Sequence, residues 1–101
     1  MPYIPQRNRA RIRECAESLA DAVKMEGEAN YAVTVLMHAL TRKWGCSYTM
    51  MARLMGMLEC VKQEYYRRVM QPYEDKKMLD NGDIELIDGF DIVKHIFQEV
   101  L

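Results

Sequence analysis

Apolar residues recur along this chain at steps of three and four, the pattern of helices that turn one face toward a core. The longest run is Met51, Leu54, Met55, Leu58, Val61, Tyr65 and Val69, which predicts a helix from about Thr49 to Gln71. An earlier stripe of Ile12, Cys15, Ala16, Leu19, Ala22 and Val23 predicts a helix that ends near Met25. Before it, Pro2 and Pro5 set residues 1–6 as an extended lead-in, because proline disfavours the α region in the residue preceding it. Gly27 then punctuates the chain.

A helix from about Glu28 to Trp44 has a different character. Ala29, Tyr31, Ala32, Val33, Val35, Leu36, Met37, Ala39 and Leu40 make it apolar nearly all round. Such a helix is normally central in a fold. Its one polar line, Asn30, Thr34, His38 and Arg42, follows i, i+4 spacing. That line is either the single solvent-facing edge of a core helix or a strip along an internal or intersubunit cavity, where its groups need partners.

The remaining signals are local. Gly45 fits the position just past a helix end, and Ser47 or Thr49 can serve as the next N-cap. Gly56 interrupts the third helix at about 1 kcal/mol relative to alanine, and its small size suits close approach of another helix. Pro72 ends or kinks that helix, or starts the next one. Tyr73 to Leu79 has helical propensity, with Glu74 and Asp75 ahead of Lys76 and Lys77 as the helix dipole prefers. Asp80-Asn81-Gly82-Asp83 is a turn, and the alternating Ile84 to Ile87 fits a short extended piece. Asp88 caps a last helix whose face carries Phe90, Val93, Ile96, Phe97, Val100 and Leu101. The expectation is an all-α single domain, residues 1–101, of about four helices in a compact helical bundle, with an extended piece near 84–87.

Composition narrows the setting. A chain of 101 residues is one domain with room for a core. Its net charge of −1 provides no global field toward nucleic acid or an acidic membrane. The four arginines Arg7, Arg9, Arg11 and Arg13 spread around the helix start, so they form a diffuse basic end suited to phosphate contact or to pairing with carboxylates. Nine methionines suit a pliable helical core or interface. Three cysteines, Cys15, Cys46 and Cys60, form no Cys-x-x-Cys pair and read as reduced thiols in a soluble, cytoplasmic protein. No apolar run reaches membrane-spanning length.

Catalytic signatures are missing. The chain has no Gly-x-Ser-x-Gly and no glycine-rich phosphate loop. His38 and His95 are isolated, and Glu59 has no histidine three residues on, so the carboxylate-bridged di-iron pattern is absent. The chain therefore reads as non-enzymatic, with no catalytic residue, metal or cofactor implied. The densest chemistry is Tyr66, Arg67, Arg68, Tyr73, Lys76 and Lys77, next to Tyr65. Guanidinium forks grip phosphate or carboxylate in bidentate fashion, and tyrosine rings stack on flat bases. On a regular helix Arg67 and Arg68 diverge by about 100°, so at most one shares a face with Tyr66 or Tyr73. The same residues also fit an amphipathic helix whose Tyr65 packs in the core and whose charges pair locally.

Four blocks carry a family resemblance: Met1 to Gln6 as Met-Pro-Tyr-Ile-Pro-Gln, Gly27 to Tyr31 as Gly-Glu-x-Asn-Tyr, Gly56 to Arg68, and Pro72 to Lys77 followed by Asn81-Gly82-Asp83. Together they resemble a small family of uncharacterised proteins found in bacteriophages and in some bacterial and archaeal genomes. The resemblance brings no activity with it. It implies a phage or mobile-element setting and a location in the host cytoplasm. Many relatives stop shortly after the Asn-Gly-Asp turn, so the tail from Ile84 to Leu101 departs from the pattern and reads as an added oligomerisation helix. The apolar excess on the second and last helices implies a homo-oligomer, with a dimer favoured. The leading expectation is a binding protein that holds or sequesters a nucleotide-like anion at the Arg/Tyr/Lys cluster, with Asn30, Thr34 and His38 joining across a subunit boundary. The alternatives are a protein–protein module that inhibits or scaffolds a host or phage protein, and a DNA-binding regulator acting through Arg7 to Arg13.

Overall fold

The computed structural model describes residues 1–85 together with Lys94 and Ile96, which are both helical. The described residues are all-α, as the periodicity predicts. A 3-10 turn, Gln6–Asn8, leads into α1, Arg9–Ala22, followed by α2, Glu26–Trp44, and α3, Tyr48–Tyr65. A π-helical turn, Tyr66–Met70, follows, and then α4, Gln71–Asn81. Ile84 and Glu85 have no regular structure. The rest of the expected extended piece, and the expected last helix apart from Lys94 and Ile96, lie outside the described residues. The chain divides into two compact units, Met1–Glu64 and the residues from Tyr65 onward.

In the first unit the lead-in is fastened more firmly than two prolines alone would suggest. The Ile4 N–H donates to the Pro2 carbonyl at 2.9 Å and the Asn8 N–H to the Pro5 carbonyl at 2.9 Å. The Arg9 guanidinium reaches back to the Ile4 carbonyl at 2.8 Å. The Tyr3 hydroxyl donates to the carboxylate of Glu64, near the far end of α3. Of the four arginines at the start of the chain, Arg9 therefore holds the lead-in, and Arg13 pairs with Glu17 at 2.8 Å.

The helix ends follow from capping chemistry. α1 stops three residues earlier than its stripe predicts, because Val23 turns extended at ψ 128° after bonding its N–H to the Leu19 carbonyl. α2 begins at Glu26, ahead of Gly27, with Met25 extended before it. The Glu28 carboxylate reaches back to the Lys24 N–H at 2.8 Å, one residue ahead of the Met25 N-cap position. Glu26 and Glu28 occupy the first turn, and Arg42 and Lys43 the last, as the dipole prefers. Gly45 ends α2 at φ 109°, a backbone setting that a side chain resists. Ser47 is the N-cap of α3, its Oγ accepting the Met50 N–H at 3.1 Å. α4 closes on Gly82 at φ 84°, and Asp83 Oδ1 takes the Ile84 N–H at 2.8 Å.

Packing is sparse. Among the described residues only Leu54 is buried, at 3% exposure. No residue of α1 or α2 is buried, and with Ala32, Met37, Ala39 and Leu40 half-buried the apolar surface of α2 is only partly covered by the described chain. A run of close backbone approaches joins only elements adjacent in sequence, the 3-10 turn with α1 and the π turn with α4. The close helix approach expected at Gly56 is not made by any described residue, since a Cβ added there meets nothing within 4 Å. Cys15, Cys46 and Cys60 are free and exposed. No described helix is long and apolar enough to cross a membrane.

Two predictions follow from these local bonds. Ser47→Ala removes the α3 cap and is expected to lower stability by about 1 kcal/mol in denaturant melts. Glu59 accepts from Gln63 Nε2 at 3.0 Å and lies 3.7 Å from Lys62 Nζ, the i+3 pair that the spacing predicts. The Gln63 hydrogen bond first, and the Lys62 charge second, hold its carboxyl below the usual glutamate value. A lowered folded value stabilises the fold above the ordinary carboxylate range, and that contribution is lost as pH falls through the lowered value. In an NMR titration Glu59 should protonate at lower pH than ordinary exposed glutamates, and Gln63→Ala with Lys62→Ala should return it to the ordinary range.

Candidate functional site

The aromatic and basic cluster lies on the π turn and α4, both within the second unit. Proline explains why the helix changes type there. Pro72 has no N–H to donate, and its ring crowds the carbonyl four residues back. The backbone takes a wider turn just before it, in which the Gln71 N–H bonds to the Tyr66 carbonyl five residues earlier. Pro72 then occupies the first turn of α4, where a missing donor costs little. The expectation that Pro72 ends, kinks or restarts the helix thus resolves into a π turn followed by a new α-helical start.

The wider turn changes the geometry of the cluster. Each residue of a π turn advances through a smaller angle than the 100° of an α-helix. Arg67 and Arg68 therefore diverge less than regular helical spacing predicts. Tyr66, Arg67 and Arg68 are all exposed on this turn. One turn into α4, Tyr73 is 56% exposed, and Lys77 places its ammonium 5.5 Å from the Tyr73 ring centre. This is cation–π distance and prepositions one ring and one cation together. Lys76 stands exposed beside them. Four cations in this segment outnumber the two carboxylates of Glu74 and Asp75, although the whole chain carries a net charge of −1. An exposed planar ring flanked by cations offers stacking and charge pairing to an anionic, flat ligand.

The polar line of α2 belongs to the first unit. Thr34 Oγ1 donates to the Asn30 carbonyl at 2.8 Å and lies 3.3 Å from Asn30 Oδ1. Asn30 and Thr34 share two open clefts of about 550 and 500 Å³, one running past Gly27 and Tyr31, the other past Val33, Met37 and Leu58. His38, one turn further along, is exposed. Asn30 and Thr34 are thus brought together, as are Tyr73 and Lys77, each pair within its own unit. Among the described residues, no three His, Cys, Asp or Glu side chains gather closely enough to hold a metal ion.

Sequence reasoning missed two features. The π turn had a usable signal, a proline set inside an otherwise continuous helical pattern. The Tyr3–Glu64 bond had none, because its partners are 61 positions apart and neither residue type demands the other.

Residues 1–84 match the family described as "Domain of unknown function (DUF6899)", and the chain belongs to that family. No curated protein and no solved structure matches it.

If proline imposes the π turn, Pro72→Ala should let the segment relax toward regular α-helix, with little change in overall stability because Pro72 sits in the first turn of α4. Backbone chemical shifts and amide exchange across Tyr66–Gln71 report the change. Unaltered shifts there would show that something other than proline sets the turn.

Proposed function

We propose that this chain is a small, non-enzymatic binding protein of a phage or mobile element, and that it holds a nucleotide-like anion on Tyr66, Arg67, Arg68, Tyr73, Lys76 and Lys77. The observation that carries this reading is the π turn beside Pro72, which sets Tyr66, Arg67 and Arg68 on a widened turn directly before the Tyr73–Lys77 pair. Single π turns are rare and recur at functional sites. Tyr66 and Tyr73 are exposed, as stacking platforms must be. Asn30, Thr34 and His38 lie in the other unit and are left out of the site as proposed. Binding of this kind would serve to sequester a host nucleotide signal in the cytoplasm.

A second reading has an observation of its own. Leu79 is 82% exposed on α4, with Met78 beside it, which suits a protein surface better than an ion. In that reading the segment docks on a host or phage protein and inhibits or scaffolds it.

Calorimetry against a panel of nucleotides and cyclic nucleotides separates the two. The anion site predicts saturable heat with at least one member. It also predicts a loss of about 100-fold in affinity for the Arg67→Ala, Arg68→Ala double variant, taking roughly 1.5 kcal/mol for each charged hydrogen bond. Absence of heat across the whole panel sinks it. An Arg pair that is dispensable while Leu79→Asp abolishes capture of a partner protein supports the second reading.

A further inference from the structure

The π turn also decides which tyrosine stands in line with Tyr73. On a regular helix Tyr66 precedes Tyr73 by about 700° of rotation, which returns it to nearly the same face, whereas Tyr65 falls about 80° away. Here the Gln71 N–H bonds to the Tyr66 carbonyl, closing over five residues rather than four. One extra residue is taken up in that turn, so the residues before it slip by about 100° relative to α4. Tyr65, the last residue of α3, comes within about 20° of Tyr73, and Tyr66 moves about 120° away from it.

Tyr65 belongs to the same unit as Tyr73. It does not pack in a core, the alternative that its apolar spacing offered. It is 60% exposed, much as Tyr73 is. The line continues from Tyr73 to Lys77, one turn on, whose ammonium already sits against the Tyr73 ring. Lys76 flanks the line about 60° to the other side, while Glu74 and Asp75 fall about 100° and 160° from it. The face with the two rings therefore carries the cations of α4 and not its first-turn carboxylates. Val69, one turn before Tyr73 and also exposed, gives the space between the rings an apolar floor.

Spacing then limits the ligand. With the extra residue absorbed, Tyr65 and Tyr73 are two helical turns apart, about 10 Å along the axis. Stacked bases follow one another at about 3.4 Å, so one base covers only one of these rings. Filling both takes two bases of one molecule. Aromatic platforms in series beside cations hold nucleotide chains this way, without reading base edges.

We propose, resting on the nucleotide-anion reading of this site, that Tyr65 is its second stacking platform and that the ligand carries two bases joined through phosphate. A free dinucleotide and a short single strand share that chemistry. Lys76 and Lys77 supply point charges for the phosphate.

Calorimetry on the full chain tests this with adenosine monophosphate, the 5′-phosphorylated adenosine dinucleotide and a short adenylate strand, together with their guanosine counterparts. The dinucleotide of at least one base is expected to bind about 10-fold tighter than its monophosphate, the gain from one further stacked base. Tyr65→Ala and Tyr65→Leu should bring that ratio close to one, and Tyr65→Phe, which keeps the ring, should preserve it. A strand that binds no tighter than the dinucleotide identifies a free dinucleotide as the ligand, and a tighter strand identifies a single strand. Both support two stacked bases. A dinucleotide no tighter than the monophosphate overturns the inference and leaves the anion site standing, as does a ratio that survives Tyr65→Ala. Absence of heat with every probe removes the inference and the reading beneath it together.

Discussion

A helix that is apolar nearly all round has to be largely surrounded, and α2, whose one polar line is Asn30, Thr34, His38 and Arg42, sets that demand for the first unit. Nothing local removes it. Gly45 closes its exit, Glu28 ties down the Lys24 N–H just ahead of its entrance, and its terminal charges suit the dipole. Those features fix where it begins and ends. They do not supply a reason for Tyr31, Val33, Val35 and Leu36 to face water. α1, with 14 residues, and α3, with 18, are near the length at which helices are marginal without tertiary contacts. The helices of this unit therefore depend on burial that Leu54 alone cannot provide. Whatever covers α2 stabilises its neighbours as well.

Much of this was legible from the order of residues. The three- and four-residue recurrence marks α1, α2 and α3, and the turn residues mark their ends. Gly45 takes the positive φ expected of a glycine past a helix terminus, and Ser47 caps the next helix. Legibility fails where one residue has several local solutions. Val23 belongs to the apolar stripe of α1, yet it turns extended, because periodicity reports which face a residue would occupy and not whether the helix reaches it. Gly27 looked like punctuation between helices but lies inside the first turn of α2, which begins at Glu26.

The candidate site was legible in composition and not in geometry. Tyrosines, arginines and lysines crowd between Tyr65 and Lys77, and the sequence shows that plainly. Their relative directions depend on the turn type, which regular helical spacing gets wrong here. Pro72 withdraws one donor and crowds one carbonyl, and the backbone answers with an i→i−5 bond. A single imino acid thereby resets the angle between two guanidinium groups that precede it by four and five positions.

The two demands, one apolar and one ionic, also explain why they occupy separate segments. Covering an apolar helix strips water from everything beside it, and cations placed there would carry a large desolvation cost. The α2 clefts hold few ionisable groups, and Glu28 meets a backbone donor. On the π turn and α4 the balance is reversed. Rings and cations are exposed there. Under the proposed binding, a ligand would exchange water for stacking on Tyr66 or Tyr73, residues that α2 does not supply. Stability and recognition then draw on different residues, so loss of one need not carry loss of the other.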